Sequence, residues 1–175
     1  MRTEREPADR ADPAAADAGA FAAFAGPALV PMSRLARRLA PHADPDDLVQ
    51  EALARAWEKR KQYDSRRGTP TTWLLAIVAD LARASRRTRA RWLKVVDDTA
   101  DVPETTAVQQ DPDVDLDRAI SKLADRQQLA VQLHYFVGLT VDETAQVMNC
   151  SVGTVKSTLF DARARLRTLL GDDDD

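Results

Sequence analysis

From Leu139 to Leu170 the chain reads LTVDETAQVMNCSVGTVKSTLFDARARLRTLL, and this segment leaves the backbone few choices. Thr140 and Glu143 have the T-x-x-E spacing of a capping box, in which a hydroxyl and a carboxylate each satisfy an amide at the start of a helix. A helix is therefore predicted from Val141. It ends at Met148, because Asn149 tolerates the left-handed conformation that closes helices and Ser151 is a favoured N-cap for the next one. Two helices separated by a turn of about three residues have helix-turn-helix geometry. Beyond the turn, Val155, Leu159, Ala162, Leu166 and Leu169 recur at steps of four and three, the apolar stripe of a helix about four turns long.

The opposite face of that second helix carries Thr154, Lys156, Ser157, Phe160, Arg163 and Arg167, a set able to bond phosphates and base edges from the major groove. A basic face is also what any solvated helix pair shows. The capped turn and the small residues Ala145 and Gly153, which let the helices approach closely, favour DNA reading.

Composition narrows the rest. The 175 residues suffice for one domain or two small ones. A hydrophobic content of 44% supports real cores, while 5% aromatics and six glycines suit small helical bundles better than sheets. Few segments alternate with period two, so the fold is expected to be all-α. One cysteine, Cys150, and two histidines, His42 and His134, exclude a disulfide framework and fall short of a four-ligand zinc set. Cys150, in the turn, is read as a small half-buried structural residue. No cofactor is expected. Neither is an enzyme, because no nucleophile–base pair, phosphate-cradling glycine loop or metal-ligand spacing is present. No apolar run reaches 18 residues, and MRTEREPADRADPAAADAG at the N-terminus is acidic and proline-bearing. A cytoplasmic protein without membrane insertion is expected, with residues 1–19 disordered.

The formal net charge of −3 argues against a nucleic-acid partner until its distribution is followed. Arg83, Arg86, Arg87, Arg89, Arg91 and Lys94 fall within a dozen residues that contain no acid. Asp97, Asp98, Asp101, Glu104, Asp111, Asp113, Asp115 and Asp117 then follow almost without a base. Charge segregated by segment marks functional blocks. The acidic stretch also holds Pro103 and Pro112 and has no helical apolar period, so residues 95–114 read as an extended, self-repelling linker. It separates a module at 20–94 from a second at 115–171, with a short acidic tail at 172–175.

Within the first module, Phe21, Phe24, Leu29, Met32, Leu35, Ala36 and Leu39 keep helical spacing, and Pro27 and Pro31 predict a break near residue 31. A second helix, capped by Asp44 or Asp46, places Leu48, Val49, Ala52, Leu53, Ala56 and Trp57 on one side. It presents Asp47, Glu51 and Arg55 four apart on one outward row, an acidic face that complementarity to the helix dipole would also explain. A third begins at Gly68-Thr69-Pro70, where Thr69 can cap and Pro70 suits the first helical position. Leu74, Ile77, Val78 and Leu81 form its core face. That leaves Trp73 outward beside the arginines, the arrangement that stacks a base while cations follow phosphates.

DPDDLVQEALARAW (Asp44 to Trp57), the Tyr63 to Gly68 loop followed by TPTTWLLAIVADLA, and GLTVDETAQVMNCSVGTVKSTLFDARARL together resemble the extracytoplasmic-function sigma factors, the two-domain class of bacterial RNA polymerase sigma subunits. The likeness covers about residues 21–170, with both motifs in order and correctly separated. It implies two small helical domains. Module 20–94 is similar to sigma region 2, whose D-D-L-V-Q-E helix docks on the clamp helices of the largest polymerase subunit, so Asp47, Gln50 and Glu51 would be polymerase contacts. Capture of the minus-ten element would fall to Tyr63, Asp64, Arg66, Arg67, Trp73, Asp80, Arg83, Arg86 and Arg87. Module 115–171 is similar to region 4, which reads the minus-thirty-five element and meets the flap of the second-largest subunit. There Ser151, Val152, Thr154, Lys156, Ser157, Phe160 and Arg163 would face DNA. The resemblance also implies control by an anti-sigma factor.

The sequence departs from the family pattern in two places. Where such factors often carry W-L-L-R-I-A-R-N, this chain has Trp73-Leu74-Leu75-Ala76-Ile77-Val78-Ala79-Asp80, and Asp80 would repel phosphate. Thr158 and Phe160-Asp161 stand where Arg and His-Arg are common, which points Phe160 towards a thymine methyl. The alternative function is a stand-alone helix-turn-helix transcriptional regulator. That reading leaves the acidic helix and the Trp73 region without a purpose.

Overall fold

The computed structural model describes residues 17–96 and 112–171. The acidic tail, nearly all of the expected N-terminal segment and most of the linker lie outside the described residues. Among the described residues there is no strand, and the chain is all-α.

The first module comprises α1 (Ala18–Ala25), α2 (Leu29–Leu39), α3 (Pro45–Lys59) and α4 (Pro70–Val96). Asp17 caps α1 by accepting from the Ala20 amide at 3.0 Å, so the helix starts slightly before residue 20. The predicted break lies earlier than expected. A single 3-10 turn at Gly26–Ala28 separates α1 from α2, and Pro31 sits inside the first turn of α2. A proline is tolerated there because the first amides of a helix have no intrahelical partner. Met32, Leu35, Ala36 and Leu39 then turn one face of α2 inward against α3 and α4.

The second module holds α5 (Pro112–Ser121), α6 (Asp125–Val131) with a π-helical continuation over Gln132–Val137, α7 (Val141–Met148) and α8 (Val152–Leu170). Helix α5 begins at Pro112, inside the stretch read as linker. The π-helical turn ends at Gly138, whose φ of 86° puts it in the left-handed region that a side chain would disfavour. Ile120, Leu123, Ala130, Val131, Ala145, Val155, Leu159 and Ala162 make this module's own core.

The modules are not held apart. Leu129, Leu133, Leu139 and Val147 of the second module belong to the same apolar cluster as Phe24, Leu35, Leu74 and Val78 of the first. Helix α7 packs on α4, and the π-helical turn packs on α2.

Candidate polymerase and nucleic-acid interfaces

Helix α3 is assembled as its sequence dictates. Asp44 is the N-cap, its carboxylate accepting from the Asp46 amide at 2.8 Å, and Pro45 takes the first helical position. Leu48, Val49, Ala52 and Ala56 are buried, so the helical period forces Asp47, Gln50 and Glu51 to the solvent side. All three are exposed. Glu51 pairs with Arg55 one turn on, at 2.7 Å, an exposed contact worth about 0.3–0.5 kcal/mol. The row is thus an accessible, predominantly acidic strip.

The loop leading into α4 is locally braced. Tyr63 donates from its hydroxyl to the Gly68 carbonyl at 3.1 Å. Asp64 accepts from the Arg66 amide at 3.0 Å and from Nε and Nη2 of the Arg66 guanidinium at 3.0 and 3.1 Å. These bonds, the side-chain bond first, hold the Asp64 carboxyl below its ordinary value and raise Arg66 above its own. Thr69 caps α4 by accepting from the Thr72 amide at 3.2 Å, with Pro70 following it as expected. Trp73 departs from expectation. It is half-buried, its ring centroid 5.5 Å from that of Tyr63 and 6.1 Å from that of Phe24. Packing on Phe24, a core residue, draws the indole partly inward, and spacing along α4 alone does not reveal that neighbour. Further along, Asp80 is met by Arg83 at 3.0 Å, so the acid that departs from the family pattern is partnered by the arginine three residues on. From Arg83 to Leu93 every residue of α4 is exposed. The aromatic that stands free beside the arginines is Trp92, at 62% exposure.

The helix-turn-helix matches its sequence closely. The Thr140 hydroxyl accepts from the Glu143 amide at 3.2 Å, and the Glu143 carboxylate accepts from the Thr140 amide at 2.9 Å. Asn149 ends α7 with φ 48° and ψ 54°, and Ser151 caps α8 by accepting from the Thr154 amide at 3.1 Å. Val155, Leu159 and Ala162 are buried. Ser151, Lys156, Ser157, Phe160 and Arg163 are exposed, while Val152 and Thr154 are half-buried. Phe160, at 65% exposure, is an aromatic on a face that no other described element covers. Cys150 is half-buried in the turn, as expected.

Comparison with known proteins assigns both modules. Residues 30–92 match the model of Sigma-70 region 2, and residues 113–166 match that of Sigma-70 region 4. The RNA polymerase sigma-E factor of Streptomyces coelicolor is 34% identical over 143 residues, spanning 77% of this chain and 76% of that protein. The ECF RNA polymerase sigma factor SigK of Mycobacterium ulcerans is 29% identical over 133 residues, 71% of each chain. The chain belongs to the extracytoplasmic-function sigma factors. Its backbone is similar to that of CnrH in complex with the cytosolic domain of CnrY (TM-score 0.67, 26% identity, 95% of this chain and 99% of that one). It is also similar to the sigma factor RpoE bound to the anti-sigma factor NepR from Bartonella quintana (TM-score 0.65, 28% identity, 87% and 99%).

In this sigma factor most of the site residues expected in region 2 fall into two groups. Asp47, Gln50 and Glu51 form one exposed strip on α3. Tyr63, Asp64, Arg67, Trp73, Asp80 and Arg83 line one groove of about 890 Å³. Its far wall is the helix-turn-helix itself, through Asp142, Gln146, Asn149, Ser151 and Val152. A methyl group added at Gly68 would stand 3.0 Å from the Gln146 side chain, so the region 2 loop and α7 already touch there. Arg86 lies apart from the groove, bonded to Gln128 at 2.7 Å and paired with Asp125 at 2.9 Å, both in region 4. Sequence reasoning missed Arg38, Gln128 and Gln132, which join the regions. A readable signal was present: two amides four residues apart in the apolar run LAVQL and its flank.

Proposed function

We propose that this sigma factor binds core RNA polymerase and directs promoter recognition, strand opening and transcription initiation. Region 2 docks through Asp47, Gln50 and Glu51 on the clamp helices of the largest subunit, where an acidic strip meets basic residues. Region 4 meets the flap of the second-largest subunit and reads the minus-thirty-five element with α8. Ser151, Val152 and Thr154 at its start, and Lys156, Ser157, Phe160 and Arg163 along its outer face, are the reading set. The carrying observation is that one chain combines a capped helix-turn-helix with a separate helical module that exposes an acidic strip and a run of arginines.

Strand capture belongs to region 2. Tyr63 and Trp73 offer half-exposed aromatic surface at the groove, Arg66, Arg67, Arg83 and Arg87 supply positive charge around it, and Arg86 adds to the same arginine run further along α4. An extruded base costs a few kcal/mol, and stacking on an aromatic returns on the order of 1–3 kcal/mol per base. The Asp80–Arg83 pair lowers the net charge at the head of α4, so phosphate contact leans on the arginines beyond it. Asp64, tied to Arg66, keeps the loop in shape.

An anti-sigma factor is the expected regulator. Two structural relatives were solved with a protein bound, one of them named as an anti-sigma factor, and the likeness to them extends over both regions. Among the described residues no helix is long and apolar enough to cross a membrane.

Binding of a labelled promoter fragment with and without core polymerase tests the reading. Specific binding that requires core polymerase supports a sigma subunit. Tight specific binding by the chain alone overturns it in favour of a stand-alone regulator.

A further inference from the structure

Two arginines of region 2 are spent on region 4. Arg38, in the last turn of α2, donates to the Gln132 side chain at 2.5 Å and to Asp117 at 2.6 Å, partners 94 and 79 residues away. Its guanidinium also lies 3.5 Å from the Phe136 ring centroid. Arg86 donates to the Gln128 side chain at 2.7 Å and pairs with Asp125 at 2.9 Å. Gln128 and Gln132 are only 8% and 2% exposed, so these bonds satisfy amide oxygens that water scarcely reaches, and losing them would be costly. Between the two arginine clusters lies a cavity of about 580 Å³, so the polar contacts are two separate points beside the apolar core that Leu129, Leu133, Leu139 and Val147 share with region 2.

Arg86 is the unusual member of the pair. It stands in the acid-free run from Arg83 to Lys94, which is read above as following nucleic-acid phosphates. Its contacts with Gln128 and Asp125 use only part of the five-donor fork, but they set its charge against a carboxylate of region 4 instead of a phosphate. Closure also sets the start of α8 across the groove from Tyr63 and Trp73, with α7 in contact at Gly68. The start of α8 therefore shares this groove with the strand-capturing face of region 2.

We propose that Arg38 and Arg86 form a two-point latch holding region 4 against the strand-capturing face of region 2, and that Arg86 serves two ligands in turn: Asp125 in the closed chain, and a nucleic-acid phosphate once the regions part. This rests on the strand-capture role proposed for region 2. Asp125 is a single carboxylate with 70% of its side chain exposed, and solvent screens that pair. A strand brings several phosphates to the same arginine row and competes well for the guanidinium. Arg38 lies off that row and acts only in closure.

The two roles give different signs in one experiment. Dyes at K59C and R165C in a C150S background report the separation of the regions by energy transfer. A fluorescent single-stranded DNA of about 12 nucleotides, within the usual site size, reports strand capture by the free chain. Asp125→Asn, a surface change that leaves the fold intact, is expected to widen the separation and tighten oligonucleotide binding roughly three- to ten-fold, because Arg86 is released. Arg38→Ala should act in the same direction, and the exchange R38D with D117R should restore the closed separation. Arg86→Ala should widen the separation without tightening the oligonucleotide. An unchanged separation in D125N and R38A overturns the latch. Opening in D125N without any gain in oligonucleotide affinity overturns the dual role of Arg86. Polymerase-dependent transcription by the parent chain, measured in parallel, separates a failed latch from a failed sigma assignment.

Discussion

Single side chains carry the most direct consequences. Because Asp47 and Glu51 are exposed on α3 and bury nothing, reversing both to lysine should abolish binding to core polymerase while circular dichroism shows the helix content unchanged. Retained affinity would remove the docking role from this strip. On α8, Lys156→Ala and Arg163→Ala should each weaken promoter binding by the polymerase complex by about 1–3 kcal/mol where they read base edges. A phosphate contact would instead weaken all sequences alike and flatten the salt dependence. Asp64 makes a third case. Its carboxyl is held low by Arg66, so the pairing contributes fully above the ordinary carboxylate value and is lost as pH falls through the lowered one. Arg66→Ala should move the Asp64 titration, followed by NMR, back up towards the ordinary value. No movement would show that the loop lacks this bond in solution.

At the scale of elements, legibility followed the range of the interactions. The capping box at Thr140 and Glu143, the left-handed Asn149 and the Ser151 cap all act within a few residues, and the structure has each at its expected position. Their energetics can be tested in the same terms. Thr140→Ala should cost about 1 kcal/mol in denaturant unfolding. Asn149→Gly should be tolerated, whereas Asn149→Val should destabilise, since a β-branched residue is disfavoured at positive φ. Equal stability of the two Asn149 variants would argue against the left-handed turn. Where a partner lies far along the chain, spacing was silent. The inward pull on Trp73 comes from Phe24, and the tolerance of Pro31 comes from a helix restarting at Leu29 after Gly26 and Pro27. Neither is visible in the period of α4 or in proline content alone.

For the whole molecule, the two-region organisation was readable from segregated charge and from two motifs in fixed order, but the closed packing was not. The apolar residues that join the regions, Leu129, Leu133, Leu139 and Val147, look like ordinary core positions of region 4. Only their neighbours in space show that they also serve region 2. Closure places the acidic strip of α3 and the outer face of α8 in solvent while the groove between α4 and α7 is enclosed on two sides. The chain is therefore expected to need a polymerase to complete what it begins. Run-off transcription with purified core polymerase, on the genomic fragment upstream of the chain's own gene, puts that requirement to the test. The expected product is a discrete transcript that depends on both core polymerase and this chain, and that is lost with Asp47→Lys and Glu51→Lys. A transcript indifferent to the chain, or one that survives the double reversal, would contradict it.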